Sequence, residues 1–264
     1  QSFRRVVPEP VEGLNERYTH YFWDNLLGLS KKWHKRDLSS ARREMQIKQK
    51  KWKEIKMKTA VVFLADGFEE LEALTPVDYL RRSHEVDVFT VAVPTAAMTD
   101  PYIVCSSHKI PLIADLSFDE FKNEFAEELP DLVFCPGGMP GSANLAANKD
   151  VTAFIKKCFA AGKYVSAICA APAVVLAKTG VLKGKKWTCY PEMEKDVEQY
   201  CGSEADVKEV LEGSTHTTEF PFVTDGTVIT SRGAGTAEQF AMELVRLLAG
   251  QEISEKLRKA CVQR

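Results

Sequence analysis

Cys169 is the residue whose type and surroundings best fit covalent chemistry. It stands between an apolar run at 164–168, which predicts a short buried strand, and a helical pattern at about 170–178. The alanines that flank it are small, as a sharp strand-to-helix turn requires. A thiol at a helix N-terminus meets the positive end of the helix dipole and free N–H donors, and both favour the thiolate. The alternative is a buried structural cysteine, since free cysteines are often buried.

A nucleophilic thiol also needs a partner for its proton and donors for a developing oxyanion. Glu72, about one turn into a predicted helix at 69–82, is placed to supply the carboxyl group. A neighbouring negative charge and burial both raise the pKa of a carboxyl beside a thiolate. When the carboxyl is protonated it donates a hydrogen bond to sulfur, and when it is ionised it can accept a proton. We predict that the N–H groups of Gly138 and Ala170 are the oxyanion donors, since Gly137 and Gly138 form a turn with free amides. Taken alone, an acidic helix start is also explained by the helix dipole, and a Pro-Gly-Gly run by a simple turn.

Alternating strands and helices are expected to bring these residues together. Such alternation indicates a parallel α/β sheet with helices on both faces, in which ligands bind at the carboxyl ends of the strands. The run at 59–64 is continuously apolar, as in a strand buried on both faces. The predicted strands span 59–64, 86–91, 102–105, 109–113, 132–135, 164–168, 207–211, 222–224 and 228–230. The predicted helices span 69–82, 118–128, 142–147, 151–161, 170–178, 192–200 and 234–248.

The charge of the chain divides near residue 57. The 264 residues carry a net charge of −2, with 45% hydrophobic and 27% charged residues, as in an ordinary globular protein. Residues 1–56 alone carry +7 and the remainder −9, and Met57-Lys58 leads directly into the first predicted strand. We interpret 1–56 as a basic N-terminal extension and 57–264 as the core domain. The extension has the composition of a nucleic-acid or anionic-membrane tail, but we expect it to have no role in the core activity.

Cysteine usage and hydropathy indicate a reducing compartment. The seven cysteines are odd in number, contain no CxxC pair and show no zinc-type spacing. There is no signal-peptide pattern and no apolar run long enough to span a bilayer. We therefore expect a cytoplasmic protein without a metal or a cofactor, whose core binds neither membrane nor nucleic acid.

Five groups of residues, in order along the chain, resemble the DJ-1/PfpI superfamily and, within it, the DJ-1/ThiJ/YajL branch. They are Leu64-Ala-Asp-Gly-Phe-Glu-Glu-Leu-Glu72, Pro76-Val-Asp78 with Arg81-Arg82, Pro136-Gly-Gly138, Ala167-Ile-Cys-Ala-Ala-Pro172 and Thr230-Ser-Arg-Gly-Ala-Gly-Thr236. The resemblance covers nearly all of residues 57–264 and none of residues 1–56.

The resemblance implies a flavodoxin-like fold and a homodimer. It also implies a reactive cysteine at a nucleophile elbow beside a glutamate, which by motif are Cys169 and Glu72. Activities attributed to the family are oxidation of that cysteine to sulfinate, glutathione-independent glyoxalase activity, protein deglycase activity and chaperone activity. By resemblance only, Cys105 lies near the dimer interface; the alternative is a small buried apolar residue.

Two positions depart from the family pattern. Where many members have a histidine followed by proline, this chain has Tyr190 before Pro191. A tyrosine with the ordinary pKa of about 10 is no base near neutral pH, so we predict no Cys–His–acid triad. Tyr190 is predicted to form an aromatic wall of the site, with a hydrogen-bond donor as the alternative. Ser107 stands where animal members commonly have arginine, so we predict no anion-binding arginine there.

Three functions remain open from the sequence. The leading hypothesis is an enzyme of the glyoxalase/deglycase type that acts on a small aldehyde or dicarbonyl, with Cys169 as nucleophile and Glu72 as acid and base. The rival is an oxidative-stress sensor or redox-regulated chaperone in which Cys169 is oxidised to sulfinate. A cysteine peptidase of the PfpI type is disfavoured, because relatives with that activity have a histidine where this chain has Ala170.

Overall fold

A seven-stranded, mostly parallel sheet organises the chain. The computed structural model describes residues 57–263, and the predictions made for residues 1–56 lie outside that range. The strands are β1 (Lys58–Leu64), β2 (Val86–Ala92), β3 (Ile103–Cys105), β4 (Pro111–Ile113), β5 (Leu116–Ser117), β6 (Leu132–Cys135), β7 (Tyr164–Ile168), β8 (Lys186–Trp187), β9 (Thr215–His216), β10 (Phe222–Asp225) and β11 (Val228–Ser231). The sheet order is β10-β11-β7-β6-β1-β2-β5, and the pair β10–β11 is antiparallel while the other neighbours are parallel. Strands β3–β4 and β8–β9 form two small separate sheets.

Helices flank the sheet and connect its strands. The α-helices are α1 (Glu70–Arg82), α2 (Phe118–Glu124), α3 (Gly141–Ala147), α4 (Lys149–Ala160), α5 (Ala177–Thr179), α6 (Val197–Cys201), α7 (Glu204–Val210), α8 (Ala237–Ala249) and α9 (Gln251–Ala260). A π-helical turn (Pro172–Leu176) and two 3₁₀ turns (Met193–Lys195 and Ala234–Thr236) complete the list of described helical segments.

The sheet separates two apolar layers. Residues 60–64 of β1 are fully buried, as the continuous apolar run predicted. On one face Phe63 meets Phe121 edge to face, with ring centroids 5.0 Å apart. On the other face Phe134 packs against Phe240 of α8, with centroids 5.6 Å apart. The predicted class, a flavodoxin-like parallel sheet between helices, is confirmed.

The predicted strand at 207–211 is wrong, because this segment lies in and just after α7. Ser203 begins the helix with a capping box: its side chain accepts from the N–H of Asp206, and the Asp206 carboxylate accepts from the N–H of Ser203. The apolar residues Val207, Val210 and Leu211 then follow at helical spacing. The capping signal outweighs the short apolar run that suggested a strand.

Other differences concern the bounds and type of elements. The helix predicted at 170–178 is the π-helical turn continued by α5, and the helix predicted at 192–200 is a 3₁₀ turn followed by α6. The strands predicted at 102–105 and 109–113 are present as β3 and β4, which pair in an antiparallel hairpin. Short strands β5, β8 and β9 and helix α9 were not predicted.

All seven cysteines are free, and no helix within residues 57–263 is long and apolar enough to cross a membrane.

Candidate active site at Cys169

Cys169 occupies a strained turn at the carboxyl end of β7. Its φ angle is +62°, in the left-handed region that costs a non-glycine residue on the order of 1–3 kcal/mol. Its N–H donates to the carbonyl oxygen of Ser231 at 3.0 Å, which ties the turn to the end of β11. Ala170 and Ala171 after it are buried, so the predicted need for small neighbours is met. This is the geometry of a nucleophile elbow, which presents a side chain above the sheet edge.

Glu72 reaches Cys169 from the first turn of α1. The residue is only 1% exposed, and its own N–H donates to Oε2 of Glu69 at 2.7 Å. Its carboxyl interacts with the Cys169 thiol and with the N–H groups of Gly137 and Ala234. Oε2 of Glu72 is buried and makes no well-formed hydrogen bond with the described residues, so this oxygen is available to hold a proton.

Gly137 allows the glutamate and the cysteine to approach each other. A Cβ atom at this position would lie 2.3 Å from Oε2 of Glu72 and 2.5 Å from Cβ of Cys169. Both separations are far below van der Waals contact, so only glycine fits between the two side chains. The predicted role of Gly137 as part of a turn is therefore extended by a packing role.

The predicted oxyanion donors converge on the sulfur atom. The N–H groups of Gly138 and Ala170 both act on the Cys169 thiol and lower its pKa. Amides that stabilise a thiolate are also placed to stabilise an oxygen on a carbon bonded to that sulfur. The structure thus brings Gly138 and Ala170 to the predicted place, while their role in a reaction stays a prediction.

Burial and charge oppose the helix-end amides in setting the protonation of the pair. Burial raises the pKa of Cys169 above its ordinary range, and the neighbouring Glu72 carboxyl raises it further, against the opposing effect of the two amides. Burial also raises the pKa of Glu72, to about 7. The hydrogen bond from the Cys169 thiol lowers the pKa of Glu72, so the two groups titrate as a coupled pair. Ionisation of Glu72 opposes ionisation of Cys169.

Tyr190 lies beside this pair. Its N–H donates to the carbonyl oxygen of Cys169 at 2.8 Å, and its side chain is 51% exposed. A Cβ at Gly233 would lie 3.5 Å from Cδ2 of Tyr190 and 3.7 Å from Oε1 of Glu72, so ring and carboxyl flank the same glycine. Tyr190 thus contributes a backbone hydrogen bond to the elbow and a ring beside the Glu72 carboxyl.

Sequence reasoning did not assign a role to the loop after β11. Ala234 donates its N–H to Glu72 from this loop, and Gly233 separates Glu72 from Tyr190. The available signal was topological: β11 is the parallel neighbour of β7, so the segment after it must end at the same edge as Cys169.

Comparison with known proteins agrees with this geometry. A family model described as the DJ-1/PfpI family matches residues 58–247. The DJ-1 homolog B of Arabidopsis thaliana is 35% identical over 201 residues, which are 76% of this chain and 40% of that protein. The dj-1beta protein of Drosophila melanogaster is 32% identical and covers 76% of this chain and 95% of that protein. A protein named as a deglycase from Thermococcus kodakarensis is 31% identical, over 71% of this chain and 98% of that protein.

Solved structures show the same fold. A DJ-1 superfamily protein of Salmonella typhimurium has a TM-score of 0.66 at 35% identity and covers 79% of this chain and 100% of its own. An oxidised DJ-1 of Toxoplasma gondii has a TM-score of 0.64 at 30% identity and covers 78% and 98%.

The fold and the site define a class: α/β proteins with a cysteine on a nucleophile elbow against a buried glutamate. Within this class, the chain belongs to the DJ-1/PfpI family. It spans less than half the length of the two Arabidopsis relatives, 40% of homolog B and 45% of homolog A.

Proposed function

We propose that this protein acts on small aldehydes or dicarbonyls, as an enzyme of the glyoxalase/deglycase type, through Cys169 and Glu72. The observation that carries the proposal is the buried Glu72 carboxyl against the Cys169 thiol, with the pKa of the carboxyl raised to about 7. A group with this pKa accepts and returns protons readily at neutral pH, as an acid–base catalyst must. The deglycase name of one relative supports the same class of substrate.

Methylglyoxal illustrates the proposed chemistry. The sulfur of Cys169 bonds to the aldehyde carbon, and the thiol proton passes by way of Glu72 to the new hydroxyl group. Glu72 then removes the proton on that carbon, and a proton returns to the adjacent carbon through an enediol, which leaves a lactoyl thioester on Cys169. Water cleaves the thioester, releases lactate and restores the thiol. One dicarbonyl and one water are consumed, and no external oxidant is needed.

The amides at the elbow would supply the electrostatic part of this reaction. The N–H groups of Gly138 and Ala170 already point at the sulfur, so they lie near the oxygen of any carbon bonded to it. Loss of one such donor typically costs about 10²–10³ in rate. Because no described residue supplies a histidine base to Cys169, we expect a slow enzyme, by about the 10²–10⁴-fold that one acid–base group contributes.

Lactate formation from methylglyoxal tests the proposal. We expect activity in the wild type, its loss in Cys169→Ser and a large decrease in Glu72→Gln. Cys201→Ser, which removes a partly buried cysteine in α6, is the matched control and should retain full activity. Equal activity, or equal inactivity, of wild type, Cys169→Ser and Glu72→Gln would end the enzyme proposal.

Oxidation of Cys169 is a second candidate function, favoured by a specific observation. The Cys169 side chain is partly exposed, and protonated Glu72 is placed to donate a hydrogen bond to an oxidised sulfur. The structure of the Toxoplasma relative is described as oxidised. One peroxide converts the thiolate to sulfenate and a second converts this to sulfinate, each peroxide being reduced to water. Intact mass after mild peroxide should show two added oxygens, absent in Cys169→Ser; oxidation spread over other cysteines would contradict this function.

We also propose that the protein is a homodimer, as the family resemblance implies. The β3–β4 hairpin exposes Ile103, Ile110 and Ile113, at 43%, 50% and 75% of their surface. Several large apolar side chains exposed on one hairpin are typical of an interface between proteins.

A further inference from the structure

A second cluster of chemically active side chains lies outside the Cys169 site. Sγ of Cys189 is 3.6 Å from Nε2 of His216 and 3.9 Å from Oε2 of Glu194. Nε2 of His216 is 4.0 Å from Oε2 of Glu194, so one donor atom from each residue faces a common point. Thiolate, imidazole and carboxylate are the three ligand types that zinc uses most in proteins.

The local fold fixes these three residues. Strands β8 and β9 pair in parallel with Trp187 opposite His216, and the Trp187 and His216 rings pack with centroids 4.9 Å apart. Cys189 follows β8 and is fully buried. Glu194 belongs to the 3₁₀ turn that begins after Pro191. Backbone pairing and ring packing, rather than contacts among the three donors, therefore hold the cluster.

The separations within the cluster suit an ion better than a hydrogen-bond network. The 4.0 Å between the His216 nitrogen and the Glu194 oxygen exceeds a hydrogen bond. The Cys189 sulfur lies 3.3 Å from the carbonyl oxygen of Tyr190, 3.6 Å from Nε2 of His216 and 3.9 Å from Oε2 of Glu194. Tetrahedral zinc, with bonds of about 2.0–2.3 Å, places its ligand atoms about 3.3–3.6 Å apart. The sulfur–nitrogen separation already fits, while the sulfur–oxygen separation must shorten by about 0.4 Å and the nitrogen–oxygen separation by about 0.7 Å.

Charge and exposure fit the same ion. A thiolate and a carboxylate together balance the charge of a divalent cation, with neutral His216 as the third ligand. The positive charge of Arg232 lowers the pKa of both Cys189 and His216, so Arg232 lies near the site and would weaken cation binding there. The side chains of His216 and Glu194 remain 19% and 23% exposed, so a fourth position faces solvent.

We propose that Cys189, Glu194 and His216 form a three-ligand site for a borderline divalent cation of the Zn²⁺ type, with water in the fourth position. The site is distinct from Cys169 but linked to it, because Tyr190, next to Cys189, donates its N–H to the Cys169 carbonyl oxygen at 2.8 Å. The proposal does not depend on the function proposed for Cys169.

A second group of candidate ligands lacks this geometry. Glu69, Glu70 and His108 also approach one another, but Oε2 of Glu69 already accepts from the N–H of Glu72 at 2.7 Å. Glu70 is paired with Nδ1 of His108 at 2.8 Å. These contacts explain the group as a helix start with an ion pair, and it offers no thiolate.

Direct metal binding by the full chain tests the proposal. The reduced, metal-free protein is titrated with Zn²⁺ against a chromogenic chelator, and with Co²⁺, whose thiolate complexes absorb in the near ultraviolet. We expect one Zn²⁺ per chain and a thiolate–cobalt absorption band. Cys189→Ser should abolish the band, and His216→Gln and Glu194→Gln should each weaken Zn²⁺ binding by at least about tenfold.

Two controls make each outcome decisive. Cys169→Ser should bind Zn²⁺ like the wild type, and so should Cys201→Ser, while far-ultraviolet circular dichroism checks that every variant is folded. If Cys189→Ser does not fold, the two more exposed ligand variants decide the question. The proposal is overturned if the wild type binds no Zn²⁺ in competition with the chelator, if His216→Gln and Glu194→Gln bind as tightly as the wild type, or if binding depends on Cys169.

Discussion

The carboxyl of Glu72 is buried directly against the thiol of Cys169, and a glycine is the one residue that fits between them. A side-chain carbon at Gly137 would fall 2.3 Å from Oε2 of Glu72 and 2.5 Å from Cβ of Cys169. Burial raises the pKa of both groups, and the Glu72 carboxyl raises that of Cys169 further, while the hydrogen bond from the Cys169 thiol lowers that of Glu72. The reactivity of Cys169 is therefore a property of the pair.

Removal of the carboxyl charge at Glu72 should stabilise the protein while it disables the site. The pKa of Glu72 rises from its ordinary 4.5 to about 7 in the folded state, so folding favours the protonated acid. The stability that this protonation contributes is present below pH 4.5 and is lost as the pH rises through 7. The shift corresponds to about 3 kcal/mol. Glu72→Gln should thus exceed the wild type in free energy of unfolding at pH 8 by about that amount, with no difference near pH 4.

Urea unfolding at several pH values measures this effect. Glu85→Gln, at an exposed glutamate in the same part of the chain, is the control and should follow the wild type throughout. A Glu72→Gln variant that is less stable than the wild type at pH 8 would contradict the raised pKa.

An added methyl group at Gly137 should separate the two catalytic groups. Gly137→Ala forces Glu72 or Cys169 out of place, so we expect a loss of activity of at least about 10²-fold, as for a misplaced acid–base group. Gly235→Ala is the matched control, because a Cβ there meets no atom within 4 Å. Kinetics of both variants, with thermal unfolding as the folding check, measure the difference. Full activity of Gly137→Ala would show that the contact between the two side chains is not needed.

The aromatic ring of Tyr190, and not its hydroxyl group, is expected to matter. Tyr190→Phe keeps the wall beside Gly233 and should leave kcat/KM essentially unchanged, whereas Tyr190→Ala removes the wall and should raise KM. The backbone hydrogen bond from residue 190 to Cys169 is retained in both variants. A strong loss of kcat in Tyr190→Phe would instead assign a proton-donating role to the hydroxyl.

A charge on the exposed hairpin should disrupt the proposed dimer. Ile113 is 75% exposed, so Ile113→Lys costs little in the folded monomer but places a charge in an apolar interface. Light scattering should show a dimer for the wild type and a monomer for the variant. Phe220→Lys, at a 53% exposed residue outside the hairpin, should remain dimeric. A monomeric wild type at micromolar concentration would contradict the dimer.

The sequence predicted the elements that have strong local signals. The buried strand at 59–64, the turn at Cys169 and the approach of Glu72 follow from apolar runs, small residues and parallel topology. The strand assigned to 207–211 was wrong because the decisive signal, the capping box of Ser203 and Asp206, stands outside the apolar run. Burial and the Glu72 carboxyl, which raise the pKa of Cys169 against the effect of the helix-end amides, depend on the packed site as a whole and leave no local sequence signal.

The cluster of Cys189, Glu194 and His216 could not be predicted from the sequence, because it too depends on the packed fold. Cys189 and His216 are far apart along the chain, and only the pairing of the two-residue strands β8 and β9 brings them together. Strands this short leave no periodic pattern to detect. Sequence rules for metal sites look for ligand pairs at short fixed spacings such as CxxC, so they do not detect ligands that are brought together in this way.

The pH dependence of Cys169 alkylation tests the account most directly. The rate is followed on the peptide that contains Cys169 by mass spectrometry, in the wild type and in Glu72→Gln. We predict that the wild type is alkylated only at high pH, because burial and the ionised Glu72 carboxyl both raise the pKa of Cys169. Glu72→Gln removes that charge and should shift the profile to lower pH. Identical profiles for the two proteins would contradict the claim that Cys169 and Glu72 act as one acid–base unit.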